Sequence, residues 1–157
     1  MQWLNKRVMV TGSAGVIGRI LIGKLVSKSA RILSVDIAPL QYASVEHIQA
    51  DLSKVVPSRV REFDPHVVFH LAATFERTKE PPGYWQTSFD NNVFLSHLLL
   101  RALIPCPSLE VFVFASSYLV YNPRLYLDVP EPYCLKESDP IAPRNLVGLA
   151  KYFTEKE

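Results

Sequence analysis

The residues best placed to do chemistry form the run Thr11-Gly12-Ser13-Ala14-Gly15-Val16-Ile17-Gly18. Its glycines are spaced Gly12-x-x-Gly15-x-x-Gly18. They follow the apolar run Arg7-Val8-Met9-Val10 and open a stretch of helical apolar spacing. A chain leaving a strand through a tight turn needs backbone angles that glycine tolerates. A missing side chain at the second glycine lets the backbone approach a pyrophosphate, and one at the third lets the helix pack on the sheet. Free N–H groups and the positive helix end then face the phosphates. A second strand-like run ends in Asp36, 18 residues after Gly18. A carboxylate there can accept hydrogen bonds from the adenine ribose hydroxyls and repel a 2′-phosphate. The ligand expected is therefore NAD, in preference to NADP.

Three further groups stand at the ends of apolar runs. Ala72-Ala73 follow the run His66 to Leu71, and small residues there let a flat cofactor lie across a sheet. Ser116 and Ser117 follow the run Glu110 to Ala115, so their hydroxyls face the ligand crevice of an open α/β sheet. His70 lies within its run and reads as a buried core histidine before a catalytic one. Cys106 and Cys134 sit beside prolines, outside any CxxC pair or histidine cluster. They read as two free thiols in a reducing compartment, with no metal site expected.

The elements that must hold these groups alternate. Strands are expected near residues 7–10, 31–36, 45–48, 66–71 and 110–115. Helices are expected over 16–27 (with Ile17, Ile20, Leu21 and Leu25 inward), 53–63, 84–103 and 144–157. Residues 123–143 hold five of the twelve prolines and read as irregular. Strands apolar on both faces, alternating with helices, predict a doubly wound, Rossmann-type parallel α/β sheet.

Taken in order, these motifs resemble the extended short-chain dehydrogenase/reductase family of NAD-dependent nucleotide-sugar epimerases and dehydratases. Thr11 to Gly18 matches that family's TGxxGxxG. Asp51-Leu52 matches its acidic-apolar pair near the adenine. His70-Leu71-Ala72-Ala73 matches its HLAA turn, Asn92-Val93 its helical Asn-Val, and Ser116-Ser117-Tyr118-Leu119-Val120-Tyr121 its SSxxVYG strand end. The resemblance implies that Gly12 to Gly18, Asp36, Asp51, Leu52, Leu71, Ala72, Ala73, Asn92, Ser116 and Lys151 bind the cofactor. It also implies that Ser117 hydrogen-bonds the reacting oxygen and that Lys151 holds the nicotinamide ribose.

One departure bears on activity. The family's Tyr-x-x-x-Lys places a phenol and an ammonium on one helix face, and the charge lowers the phenol pKa. The corresponding residues are Val147-Gly148-Leu149-Ala150-Lys151. Valine cannot transfer a proton. Tyr118 is the preferred substitute, with Tyr121 and Tyr152 as alternatives, and a non-catalytic dinucleotide-binding module is the competing reading.

The sequence has 157 residues, 48% hydrophobic and 20% charged, with a net charge of +2. That supports one folded domain, and the scattered basic residues argue against a nucleic-acid surface. The apolar stretch near residues 93–104 is broken by Ser96, His97 and Arg101 and is too short to span a bilayer. A cytoplasmic protein is expected. Family members continue past the segment matching Lys151 into further strands and a small substrate domain. Residues 1–157 are thus expected to be the dinucleotide-binding domain of a longer protein, able to meet a nucleotide sugar only when completed. The apolar fifth strand would lie at a sheet edge, which predicts self-association or a homodimer.

Overall fold

The computed structural model describes residues 3–75, 82–127 and 129–157. Five strands form one parallel sheet: β1 (Arg7–Thr11), β2 (Arg31–Asp36), β3 (Val45–Gln49), β4 (Val67–His70) and β5 (Val111–Phe114). Their spatial order is β3-β2-β1-β4-β5. The chain steps outward from β1 through β2 to β3, then returns to β1's other side with β4. A crevice opens beyond the carboxyl ends where the order reverses, between β1 and β4.

Side chains alternate across the sheet, so each strand feeds two cores. Val8, Val10, Ile32 and Val67 pack with Ile22 and Leu25 of α1 (Val16–Val26). Met9, Leu33, Val35 and Val68 pack on the other face with Val60 and Phe63 of α2 (Arg59–Phe63) and with Leu95, Leu99 and Leu103 of α4 (Leu95–Leu103). The buried stripe of α1 is Gly18, Ile22 and Leu25, whereas Ile17 and Ile20, expected inward, are exposed. Close packing of Gly18 on the Gly12–Ser13 backbone sets the helix so that these two isoleucines face out.

Two helical expectations are corrected. Residues 53–58 are not helical and α2 begins at Arg59. Asp51 Oδ1 accepts from both the amide and the hydroxyl of Ser53, which favours a local turn, and Pro57 lacks an N–H. The long helix over 84–103 is helical throughout but not uniform. It runs as α3 (Tyr84–Ser88), a π-helical segment (Phe89–Phe94) and α4. The final helix, α5 (Leu146–Lys156), is capped by Asn145, whose side chain accepts from the Gly148 amide at 2.7 Å. Among its described residues the proline-rich stretch holds a short 3₁₀ turn at Pro123–Leu125 and a single bridge residue at Ile141; its residue 128 lies outside the described residues.

Candidate functional site

The glycine loop leaves β1 where the sheet order reverses. Gly12 has φ +66°, a left-handed conformation that favours glycine, and a Cβ there would lie 2.6 Å from the Ala72 amide nitrogen. Its turn therefore closes directly on the backbone after β4. A Cβ on Gly18 would lie 2.4 Å from the Gly12 carbonyl oxygen, so α1 can begin beside the turn only without a side chain there. Gly15 is exposed and meets only the Gly12 carbonyl, at 3.2 Å, leaving its outer side open.

This loop forms one wall of a cleft of about 460 Å³. Gly12, Ala14, Gly15, Asp36, Asp51, Leu52, Leu71, Ala72 and Ala73 all line it, as expected from the sequence. Ser13 does not: it is fully buried, and its hydroxyl has no partner among the described residues. Val16 and Ile17 open α1 with exposed side chains, so what they offer a ligand is the unpaired N–H groups of a first turn. Ile37, Ala38, Thr74 and Asn91 also line the cleft, without a sequence motif to mark them.

Asp36 stands beside the glycine loop at the cleft edge. One carboxylate oxygen accepts from the Ala14 amide at 2.8 Å, the other from the Ala38 amide at 2.9 Å. It thus ties the glycine loop to the turn after β2, with its carboxylate at the cleft edge.

Behind the cleft runs a buried polar chain. Asn92, on the π-helical segment, takes the Thr74 amide on Oδ1 and donates Nδ2 to the Thr74 carbonyl and the Ser88 hydroxyl. Its role is to hold the backbone after Ala73; it is buried and does not line the cleft. The Asn92 carbonyl accepts from the hydroxyls of Ser96 and Thr154. With its proton committed there, Ser96 Oγ accepts from His70 Nε2 at 2.9 Å. His70 Nδ1 in turn accepts from Thr11 Oγ1 at 2.7 Å, and that oxygen accepts the Ala72 amide. These partners assign the neutral Nε2–H form. Burial, then the nearby Lys151 charge, pushes the His70 pKa down to about 3. His70 is a core histidine, as its sequence context predicts.

The remaining candidates gather at the carboxyl end of β5. Lys151, 6% exposed, donates to the Ala115 carbonyl at 2.7 Å and sits over the Phe114 ring, 4.5 Å from its centroid. Burial lowers its pKa to about 8. Ser117 Oγ accepts from the Leu119 amide, capping a 3₁₀ turn, Tyr118–Val120. Ser116 is exposed and hydrogen-bonded to Glu155. Gly148 of α5 packs on that turn so tightly that a Cβ would lie 2.3 Å from the Leu119 carbonyl oxygen. Val147 beside it is buried. Tyr118 is 60% exposed and packs edge-on against Tyr126. Tyr121 forms an isolated bridge to Ile141, and Tyr152 lies under the Lys156 ammonium.

A larger cavity of about 740 Å³ lies elsewhere, between α3, the π-helical segment and α5. Its walls include Trp85, Phe89, Val93, Leu149 and Phe153. Its lining is mostly apolar and includes no glycine loop, so chemistry points to the smaller cleft. Among the described residues there is no metal-ligating cluster. None of their helices is long and apolar enough to cross a membrane.

Comparison with known proteins agrees with this geometry. A model of the NAD dependent epimerase/dehydratase family matches residues 8–157. The chain is 26% identical over 159 residues to an L-arabinose 1-dehydrogenase (NAD(P)(+)) of Haloferax volcanii, covering 95% of this chain and 58% of that protein. It is 26% identical to a UDP-glucose 4-epimerase of Azospirillum brasilense, covering 97% of this chain and 43% of that one. Among solved structures, MoeE5 in complex with UDP-glucose and NAD superposes with a TM-score of 0.75 at 28% identity, over 96% of this chain and 47% of MoeE5. The chain thus spans about half the length of these relatives.

Proposed function

The chain belongs to the NAD-dependent epimerase/dehydratase family, and from that premise we propose that it is the NAD-binding portion of a nucleotide-sugar epimerase/dehydratase-like oxidoreductase. The observation that carries this is the Gly12 turn, closed on Ala72 with no room for a Cβ, beside the Asp36 carboxylate in one cleft. These residues fit a dinucleotide. The loop amides and the α1 N-terminus would hold the pyrophosphate, and Asp36 the adenine ribose. Asp51 and Leu52 would border the adenine, and Leu71, Ala72 and Ala73 the cofactor's length. The bound nicotinamide would supply hydride acceptance and return. Ser117 would donate a hydrogen bond to the sugar oxygen, Lys151 would hold the nicotinamide ribose, and Ser116 would stand at the crevice rim. Tyr118 would be the proton-transfer group. Adding NAD should shift the NMR amide resonances of Gly12, Ala14, Gly15 and Ala38. An unchanged spectrum at millimolar NAD would refute the proposal.

A second reading is favoured by one observation: Val147 is buried and aliphatic where the family's pattern has its tyrosine. On that reading the chain is a non-catalytic dinucleotide-binding or regulatory module. The two readings separate on turnover. Tyr118→Phe abolishing reduction of NAD by a nucleotide sugar favours the enzyme. NAD binding without turnover, with activity gained in Val147→Tyr, favours the module.

The same proposal takes residues 1–157 as one dinucleotide-binding domain in a cytoplasmic setting, with a nucleotide sugar as the partner of the completed site. It also includes homodimer formation or other self-association. Two features support that: the outer side of β5, unpaired among the described residues, and the apolar cavity lined by Trp85, Phe89 and Phe153.

A further inference from the structure

β2 and β3 present a polar patch at their carboxyl ends that NAD binding as described leaves unexplained. In register, Ser34 lies opposite His47 and Asp36 opposite Gln49, on the sheet face that carries α1. Lower on that face the paired residues are apolar, Ile32 and Val45. The change to four polar residues coincides with the turn that lines the cleft.

Each of these side chains is bonded to a neighbour or to that turn. His47 Nε2 donates to the Ala38 carbonyl at 3.2 Å, which leaves Nδ1 to accept from Ser34 Oγ at 2.8 Å. Gln49 Nε2 donates to the Ile37 carbonyl at 2.9 Å. Asp36 Oδ1 takes the Ala38 amide. Both carbonyls of Ile37-Ala38 and one amide are therefore fixed by side chains, and both residues line the cleft. Ser34 is fully buried, so it anchors the imidazole from inside the sheet.

We propose that His47 and Gln49 are positioning residues that clamp the Ile37-Ala38 turn against the adenosine end of the cofactor cleft. The clamp holds Asp36 for the ribose hydroxyls and keeps the turn from withdrawing to admit a 2′-phosphate. This rests on the cofactor reading proposed above.

The test is nicotinamide fluorescence titration of the whole chain with NADH and NADPH, for the native sequence and for His47→Leu, His47→Gln and Gln49→Ala. Loss of a turn-holding hydrogen bond should weaken NADH binding about three- to tenfold in His47→Leu and Gln49→Ala. NADPH binding should hold or tighten in both, because the freed turn can withdraw from the 2′-phosphate, so discrimination narrows. His47→Gln, whose amide nitrogen can stand where Nε2 stands, should bind NADH as the native chain does. Gln49 is exposed, so its variant keeps the test valid if His47→Leu does not fold. Unchanged NADH affinity in Gln49→Ala and in a folded His47→Leu, or equal losses for both nucleotides, would overturn the clamp while leaving the cofactor reading intact. Failure of the native chain to bind either nucleotide would overturn both.

Discussion

At the residue scale, the buried charge state of His70 has a measurable consequence. Burial and Lys151 hold its pKa near 3, far below its ordinary 6.5. The native state keeps the ring neutral while the unfolded chain protonates it. As pH falls from about 6.5 toward 3 the unfolded state takes up the extra proton, and native stability is lost at about 1.4 kcal/mol per unit well inside that window. The carboxylates with lowered pKa values, Glu46, Asp64 and Glu110, act in the same direction but only below about pH 4.5. Between pH 6.5 and 5 the slope should therefore belong mainly to His70. Urea unfolding should show it in the native chain and a flatter profile in His70→Gln; parallel profiles would refute the assignment. Gly148 gives a second residue-scale prediction. A Cβ at 2.3 Å from the Leu119 carbonyl oxygen must displace α5 or the turn. Gly148→Ala should then cost about 1–3 kcal/mol in urea unfolding.

At the element scale, the strand–turn–helix of β1 and α1 is legible in the sequence because glycine spacing, apolar run and helix start coincide there. Asp36 is legible for the same reason, as the last residue of an apolar strand. The wall formed by Ile37, Ala38, Thr74 and Asn91 is not, because these residues contribute backbone and position and belong to no motif. Nor is the π-helical segment at Phe89–Phe94, whose apolar spacing resembles that of the α-helices flanking it. Only the Asn92 carbonyl, shared by two hydroxyls, shows what the irregular segment does. The Ser53 to Phe63 helix is overread for a local reason: over residues 53–58 the Asp51 turn and Pro57 outcompete helical propensity. Helix α4 anchors one core through Leu99, which is fully buried. Leu99→Ala should destabilise the chain by about 2–5 kcal/mol by thermal or urea unfolding. Strand β5 makes the opposite prediction. Val113 points outward on the edge strand and is 38% exposed. Val113→Lys should change stability by less than about 0.5 kcal/mol while reducing self-association in light scattering.

At the scale of the whole molecule, the five strands, their parallel order and the family membership are a consistent set. The order reverses between β1 and β4, and the cleft opens there, bounded by Gly12, Asp36 and Ala72. Four residues before Lys151 the chain carries Val147, where the family's pattern has its tyrosine. Cofactor binding at the cleft is therefore the property to test first. Fluorescence titration of the native chain and Gly12→Val with NADH tests it most directly. Saturable enhancement is expected in the native chain. At least a tenfold loss is expected in a folded Gly12→Val, whose side chain would enter the space held by the Ala72 backbone. No saturation in the native chain, or equal affinity in both, would contradict it.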